Sequence, residues 1–192
     1  MTTSIATPPI ATDRFRYDTF TQALHWLTLI AVAGAFVSGQ LMDDMPRGAA
    51  KAQLISTHIS VGLLVLTFTV LRLARRIAVP QPDPIPGAPL VQMAAKAMHL
   101  TLYLLLVIVP IAGMAMVWAK GRTVGFFGLF TLPPLIGPDR DLAHRLGEMH
   151  EIGANLILVL AGVHAAAAIV HHTMLKDGAI ARMLPFGTSR HG

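Results

Sequence analysis

A chain of 192 residues that is 54% hydrophobic and only 13% charged has the make-up of an integral membrane protein rather than of a soluble domain. It contains no cysteine, which excludes disulfides, thiolate-bound iron–sulfur clusters, zinc ribbons and haem attached through a C-x-x-C-H motif. The formal net charge of +5 comes without a basic stripe carrying interleaved aromatics, so no nucleic acid is expected as a partner, and cationic loops are ordinary beside a membrane.

Residues 1–19 lack a continuous apolar core followed by a small-residue cleavage site and read as a retained N-terminal segment, not a removed signal peptide. Four apolar stretches follow, near 20–42, 54–74, 93–119 and 148–175, each long enough for a hydrocarbon core that takes about 20 helical residues. Their continuous hydrophobicity lacks the alternation of barrel strands, so they are expected to be helices. The fold class is therefore all-α, an integral membrane four-helix bundle over residues 20–175, with 176–192 as a C-terminal tail. Pro110 is expected to bend the third helix.

Between the second and third spans, "VPQPDPIPGAPL" cannot continue a helix and is expected to run extended over one surface. In the longer connection from 120 to 148, "FFGLF" is apolar enough to lie in the interface as a short helix, with a packed loop as the other reading. Lys and Arg are more numerous beside the termini (Arg14, Arg16, Arg72, Arg75, Arg76, Lys96, Lys176, Arg182, Arg190) than on the other side (Arg47, Lys51, Lys120, Arg122, Arg140, Arg145). That bias puts both termini in the cytoplasm, with Trp26 and Trp118 as expected interface anchors.

Nine histidines stand out in so apolar a chain. His150 and His164 lie on one helix, roughly 21 Å apart along the axis and only about 40° apart around it. An isolated polar group facing lipid is expensive, so both are expected to face the bundle interior. The alternating direction of the spans then places His25 and His164 at an inner level and His58 and His150 at an outer one. A single buried imidazole is by default an interhelical hydrogen-bonding group. Four that pair by depth favour bis-histidine ligation of two b-type haems instead. A zinc transporter or proton relay would call for acidic residues at mid-span, and Asp43, Asp44, Glu148 and Glu151 all sit at span ends. Gly62 and Gly153, within about a turn of His58 and His150, are read as room for a flat macrocycle, whereas Gly34, Gly39, Gly113 and Gly162 are read as close helix packing.

These residues resemble the bacterial cytochrome b561 family, four-helix di-haem membrane proteins. The resemblance rests on "ALHWL", "THISVGLLVL" with "LRL", "MHLTLYLLLVIVPIAGMAM" and "MHEIGANLILVLAGVHAAAAIVHH", and covers roughly residues 17 to 186. It implies His25 and His164 as ligands of one haem b, His58 and His150 as ligands of the other, and a place in the bacterial inner membrane. It further implies electron transfer between a donor and ubiquinone, superoxide oxidation at the outer face being an activity assigned within the family, and it sets His99 and His171 beside quinone on the inner side. Similar proteins can offer quinone a lysine from the connector; here "PDPIPGAP" has none.

His99 and His171 are residue types able to hydrogen-bond a quinone carbonyl or supply its protons, against a plain interfacial role for each. Arg72 either meets a haem propionate or snorkels to lipid phosphate. His172 is expected at the interface, and His144 and His191 have no assigned role. Lys51, Lys120, Arg122 and Arg145 would favour a small anionic donor at the outer face, yet Asp43, Asp44, Asp139, Asp141, Glu148 and Glu151 share that surface. The expected function is that of a quinone-linked oxidoreductase passing single electrons from an outer-face donor, superoxide or a protein, to ubiquinone. The alternatives are a cytochrome b subunit anchoring a dehydrogenase or hydrogenase and, from another class, a transporter or structural bundle without a redox cofactor.

Overall fold

The computed structural model describes residues 16–184. Four helices, α1 (Thr19–Asp44), α2 (Ala49–Ala78), α3 (Pro89–Ala119) and α4 (Arg140–Val170), run up and down, and a π-helical turn, His171–Leu175, continues α4. All four are long and apolar enough to cross a membrane. α1 packs on α2 and α3 on α4, and contacts between α2 and α3 join the two pairs. Most side chains along the spans are exposed, Ile30, Leu104 and Val159 among them, because the apolar solvent of a membrane protein lies outside the bundle. The end where α1 meets α2 and α3 leads toward α4 is called the hairpin end below, and the opposite one the terminal end.

The helices run beyond the apolar windows, and α1 and α4 begin at side-chain caps. The Asp18 side chain accepts from Thr21 N at 3.1 Å to open α1, and its carboxylate also takes Arg75 of α2 at 2.8 Å. Burial pushes the Asp18 carboxyl upward, but its hydrogen bonds from Thr21 and Arg75 outweigh that and hold it below the usual carboxylate range. α4 starts at Arg140, not near 148 as hydrophobicity indicates, because Asp139 accepts from Leu142 N at 3.0 Å and supplies a cap two turns earlier. Pro89 occupies the first turn of α3, where its missing N–H is harmless, and α3 continues as helix through Pro110.

One buried residue cluster, Ala31, Val65, Leu106, Val109 and Ile157, draws on all four helices. Buried hydroxyls bond their own helices: Thr28 donates to Leu24 O at 2.6 Å and Thr69 to Val65 O at 2.7 Å, so neither carries an unpaired polar group into the interior.

The "FFGLF" segment is neither a short helix nor a plain loop. It forms an antiparallel β-hairpin, β1 (Val124–Phe126) with β2 (Phe130–Leu132). Phe127 and Gly128 both take positive φ, 45° and 74°, and Leu129 N donates to Phe126 O at 2.8 Å. Two left-handed central residues turn the chain with the twist that strands require. Trp118 is buried beneath this hairpin with Val117 and Val124, instead of standing at an interface.

Residues 177–184, the described part of the expected tail, are held by hydrogen bonds. They fold back over the start of α1, where Trp26 Nε1 donates to Met183 O at 2.8 Å and Gln22 Nε2 to Arg182 O at 3.1 Å. Arg16 donates to Leu184 O, and Arg182 Nη1 reaches Asp83 O in the proline-rich connector at 2.5 Å. Trp26 therefore holds this strap rather than a lipid headgroup. Arg14, Arg190 and His191 lie outside the described residues.

Candidate cofactor site

At the hairpin end, α2 and α4 bring His58 and His150 into edge contact, ring centroids 5.9 Å apart and planes at 75°. Each ring is tied to the backbone of a neighbouring helix. His58 Nδ1 lies 3.0 Å from Ala35 O of α1, with Ser38 Oγ at 3.1 Å, and His150 Nδ1 lies 2.9 Å from Val109 O of α3. A carbonyl can only accept, so Nδ1 carries the proton in both rings and Nε2 keeps its lone pair. This is how metal-ligating imidazoles are commonly oriented, with the far nitrogen held by a carbonyl.

Glycines make that arrangement fit, though not all in the way the sequence suggests. A Cβ at Gly113 would lie 2.9 Å from His150 Cε1 and Nδ1, and one at Gly39 would lie 3.5 Å from His58 Cε1. Gly39 and Gly113 therefore seat the two imidazoles. At Gly153, expected to leave room for a macrocycle, a Cβ would lie 2.5 Å from Val109 Cγ2. Its missing side chain lets α4 close on α3 and so holds in place the residue whose carbonyl takes His150. Gly62 faces nothing within 4 Å and leaves one side of α2 open a turn beyond His58.

The terminal end is built differently. Arg72 Nη2 lies 3.1 Å from His25 Nδ1, and its guanidinium stacks over the Tyr103 ring at 5.2 Å. A guanidinium only donates, so His25 Nδ1 accepts and its proton sits on Nε2, the reverse of His58 and His150. Arg72 thus turns inward rather than snorkelling, because α1 and α3 offer it an imidazole and an aromatic face. The ring in contact with His164 is His99, at 5.2 Å and 74°, and His25 stands within electrostatic reach of both. Three imidazoles, from α1, α3 and α4, share this level.

His171 is not grouped with them by any contact; its Nδ1 lies 2.5 Å from Asp177 Oδ2, at the start of the strap. Burial pushes the Asp177 carboxyl up, but hydrogen bonds from His171 and from Ala179 N, at 3.0 Å, outweigh it and hold it below the ordinary carboxylate value. Sequence reasoning missed Asp177 because it falls beyond the apolar span. It missed Tyr103 because one tyrosine in an apolar run carries no signal, and the Ala35 and Val109 carbonyls because backbone partners leave no mark in a sequence. On the hairpin-end surface Lys120 and Arg140 share a groove with Asp43, Glu148 and Glu151, so the charges there are mixed.

Among the described residues no group of three or more His, Asp or Glu side chains is placed to hold a bare metal ion. Facing pairs of imidazoles, with free Nε2 lone pairs at the hairpin end, suit a prosthetic group that brings its own remaining donors. Haem is such a group, and the residues present fit it.

A four-helix membrane bundle with interior imidazoles facing one another at two levels defines a class, the integral membrane b-type cytochromes. The family model described as prokaryotic cytochrome b561 matches residues 16–186. Cytochrome b561 homolog 2 of Escherichia coli (strain K12) is 34% identical over 181 residues, 92% of this chain and 95% of the relative. Cytochrome b561 homolog 1 of the same strain is 32% identical, covering 84% of this chain and 93% of the relative. A protein of Yersinia pestis named probable superoxide oxidase CybB is 32% identical, covering 88% and 96%. The chain belongs to the prokaryotic cytochrome b561 family, a multi-pass bacterial membrane cytochrome, and the family implies b-type haem.

Proposed function

We propose that this cytochrome holds two haems b, one between His58 and His150 and one between His25 and His164, and that it passes single electrons from a donor at the hairpin end to ubiquinone at the terminal end. Its haem-bearing body is 20–175, flanked by cytoplasmic segments 1–19 and 176–192, so the terminal end is the cytoplasmic one in a bacterial inner membrane. The observation that carries this reading is the pair His58 and His150, rings 5.9 Å apart and each with Nδ1 on a carbonyl. A haem b held by two histidines here would supply single-electron exchange and offer no open position to a substrate.

The chain supplies position and environment. Ala35 and Val109 fix the two imidazoles so that little rearranges when charge changes, and the apolar shell of Val65, Leu106 and Ile157 keeps water from the middle of the bundle. At the terminal end Arg72 is a buried cation able to meet a haem propionate once it leaves His25. Reduction of a quinone takes two protons with two electrons, and His99 and His171 are the groups there whose chemistry can deliver them. Asp177 holds the His171 Nδ1 proton, which leaves Nε2 as the atom that faces an exchange partner. The donor class is superoxide, in keeping with the relative named a probable superoxide oxidase.

Two measurements test this. Iron and haem analysis of the purified protein should give two per polypeptide, with reduced b-type bands in the visible spectrum; one or none ends the two-haem reading. Anaerobic stopped-flow mixing with superoxide should reduce the haems, and added ubiquinone should reoxidise them. Reduction only in the presence of a stoichiometrically co-purifying dehydrogenase or hydrogenase would instead make the chain an anchoring subunit.

A further inference from the structure

The β-hairpin at the hairpin end is used by nothing described above, and its chemistry is unusual for its position. Residues 124–137 carry no charged side chain, while Lys120 and Arg122 precede them and Asp139 and Arg140 follow. Val124 is fully buried against α2 and α3, yet Phe127, Leu129 and Phe130 at the turn are 49%, 77% and 52% exposed. Phe126 stacks on Phe130 at 5.1 Å and meets Phe127 at 5.0 Å, so the tip is one connected aromatic surface.

Ser60 of α2, fully buried, fixes where this tip sits. Phe127 N donates to Ser60 Oγ at 2.8 Å, and Gly125 O lies 3.4 Å from the same hydroxyl. Arg75 and Arg76 mark the opposite boundary of the span. Counting back from them the roughly 20 residues that the hydrocarbon layer takes puts the near boundary close to residue 55. Ser60 then lies about 8 Å below that boundary, a depth typical of apolar elements seated at the junction of headgroups and acyl chains.

We propose that the hairpin is a re-entrant anchor whose tip, Phe127, Leu129 and Phe130, occupies the leaflet at the hairpin end, and that Ser60 makes this depth tolerable. Non-helical backbone survives there only when protein groups satisfy its N–H and C=O. The ladder between β1 and β2 meets part of that need, Leu129 N bonds Phe126 O, and the Ser60 hydroxyl serves the turn. A lipid surface, rather than a protein donor, is the occupant because residues 124–137 offer no charge with which to orient a partner.

The chain lacks cysteine, so a nitroxide on Leu129→Cys reports from the tip alone. In lipid nanodiscs the haem-loaded protein should show oxygen collisions at 129 several-fold above those with a water-soluble nickel chelate, and the reverse at Arg122→Cys. Phe130→Cys, with haem content confirming the fold, should repeat the result at 129. Chelate access at 129 and 130 equal to that at 122 would place the tip in water. Protection from both reagents would mean a protein surface covers it. Either outcome overturns the assignment.

Discussion

The two histidine levels are made from the same residue type but share only α4, the hairpin-end pair drawing on α2 and the terminal-end group on α1 and α3, and their rings are held by different kinds of partner. At the hairpin end both Nδ1 atoms rest on main-chain carbonyls of neighbouring helices, partners that no pH change or side-chain substitution removes. At the terminal end His25 faces the side-chain guanidinium of Arg72, and His164 faces a third imidazole, His99. A site that only carries electrons is served by rings that never rearrange. One that must also exchange protons needs titratable groups and a movable charge close by. On the function proposed, the difference between the levels would be the difference between those tasks.

The largest test of that contrast removes a ring. His58→Ala or His150→Ala should lower haem and iron to about half of the wild-type content and spare the terminal-end spectrum, while His25→Ala or His164→Ala should do the opposite. Equal loss from every variant would erase the division into levels.

Glycine substitutions probe how firmly the hairpin-end rings are held. At Gly113 a methyl would lie 2.9 Å from an imidazole anchored on its other side, so Gly113→Ala should destabilise by about 1–3 kcal/mol in thermal unfolding and shift the potential of the hairpin-end haem. Gly39→Ala brings a methyl only to 3.5 Å from His58, an ordinary contact, and should change the melting temperature little. A larger effect at Gly39 than at Gly113 would contradict the packing described.

Arg72→Met removes a buried positive charge from the terminal end alone. A nearby cation favours the reduced, less positive iron, so redox titration should show the terminal-end potential falling and the hairpin-end potential unmoved. A fall at both ends, or at neither, would detach Arg72 from its level.

The smallest effect concerns the strap. The Asp177 carboxyl is held below its unfolded value, so its contribution is complete above the ordinary aspartate range, near pH 4, and fades as pH falls through the depressed value. Asp177→Asn should reproduce that loss at neutral pH. Hydrogen exchange at Ala179 and Met183 should quicken in the variant, and acidification should then add little more; unchanged exchange would show that Trp26 and Gln22 hold the strap by themselves.

Much of this molecule was legible in the chain because lipid imposes simple rules. A span must be a continuous apolar run of fixed length, and helix rise then sets the depth of each side chain, so the meeting of His58 with His150 followed from counting. Partners that sit on another element's backbone were not legible. Nothing in the identity of Ala35 or Val109 marks its carbonyl as an acceptor. The hairpin was misread because "FFGLF" is apolar under any conformation, and only the left-handed pair Phe127 and Gly128 decides that it turns. The strap was missed because its bonds use the main-chain oxygens of Arg182 and Met183, which any residue would supply.

The sequence by itself determined the four membrane-capable helices and the relative level at which His25, His58, His150 and His164 lie, since hydrophobicity and helical rise act residue by residue along one helix. Tertiary structure alone decided which nitrogen of each ring is free, which glycine seats a ring and which closes a helix pair, and where Arg72 points. Those outcomes depend on distances of a few tenths of an ångström between different helices, and a one-dimensional pattern carries no measure of such distances.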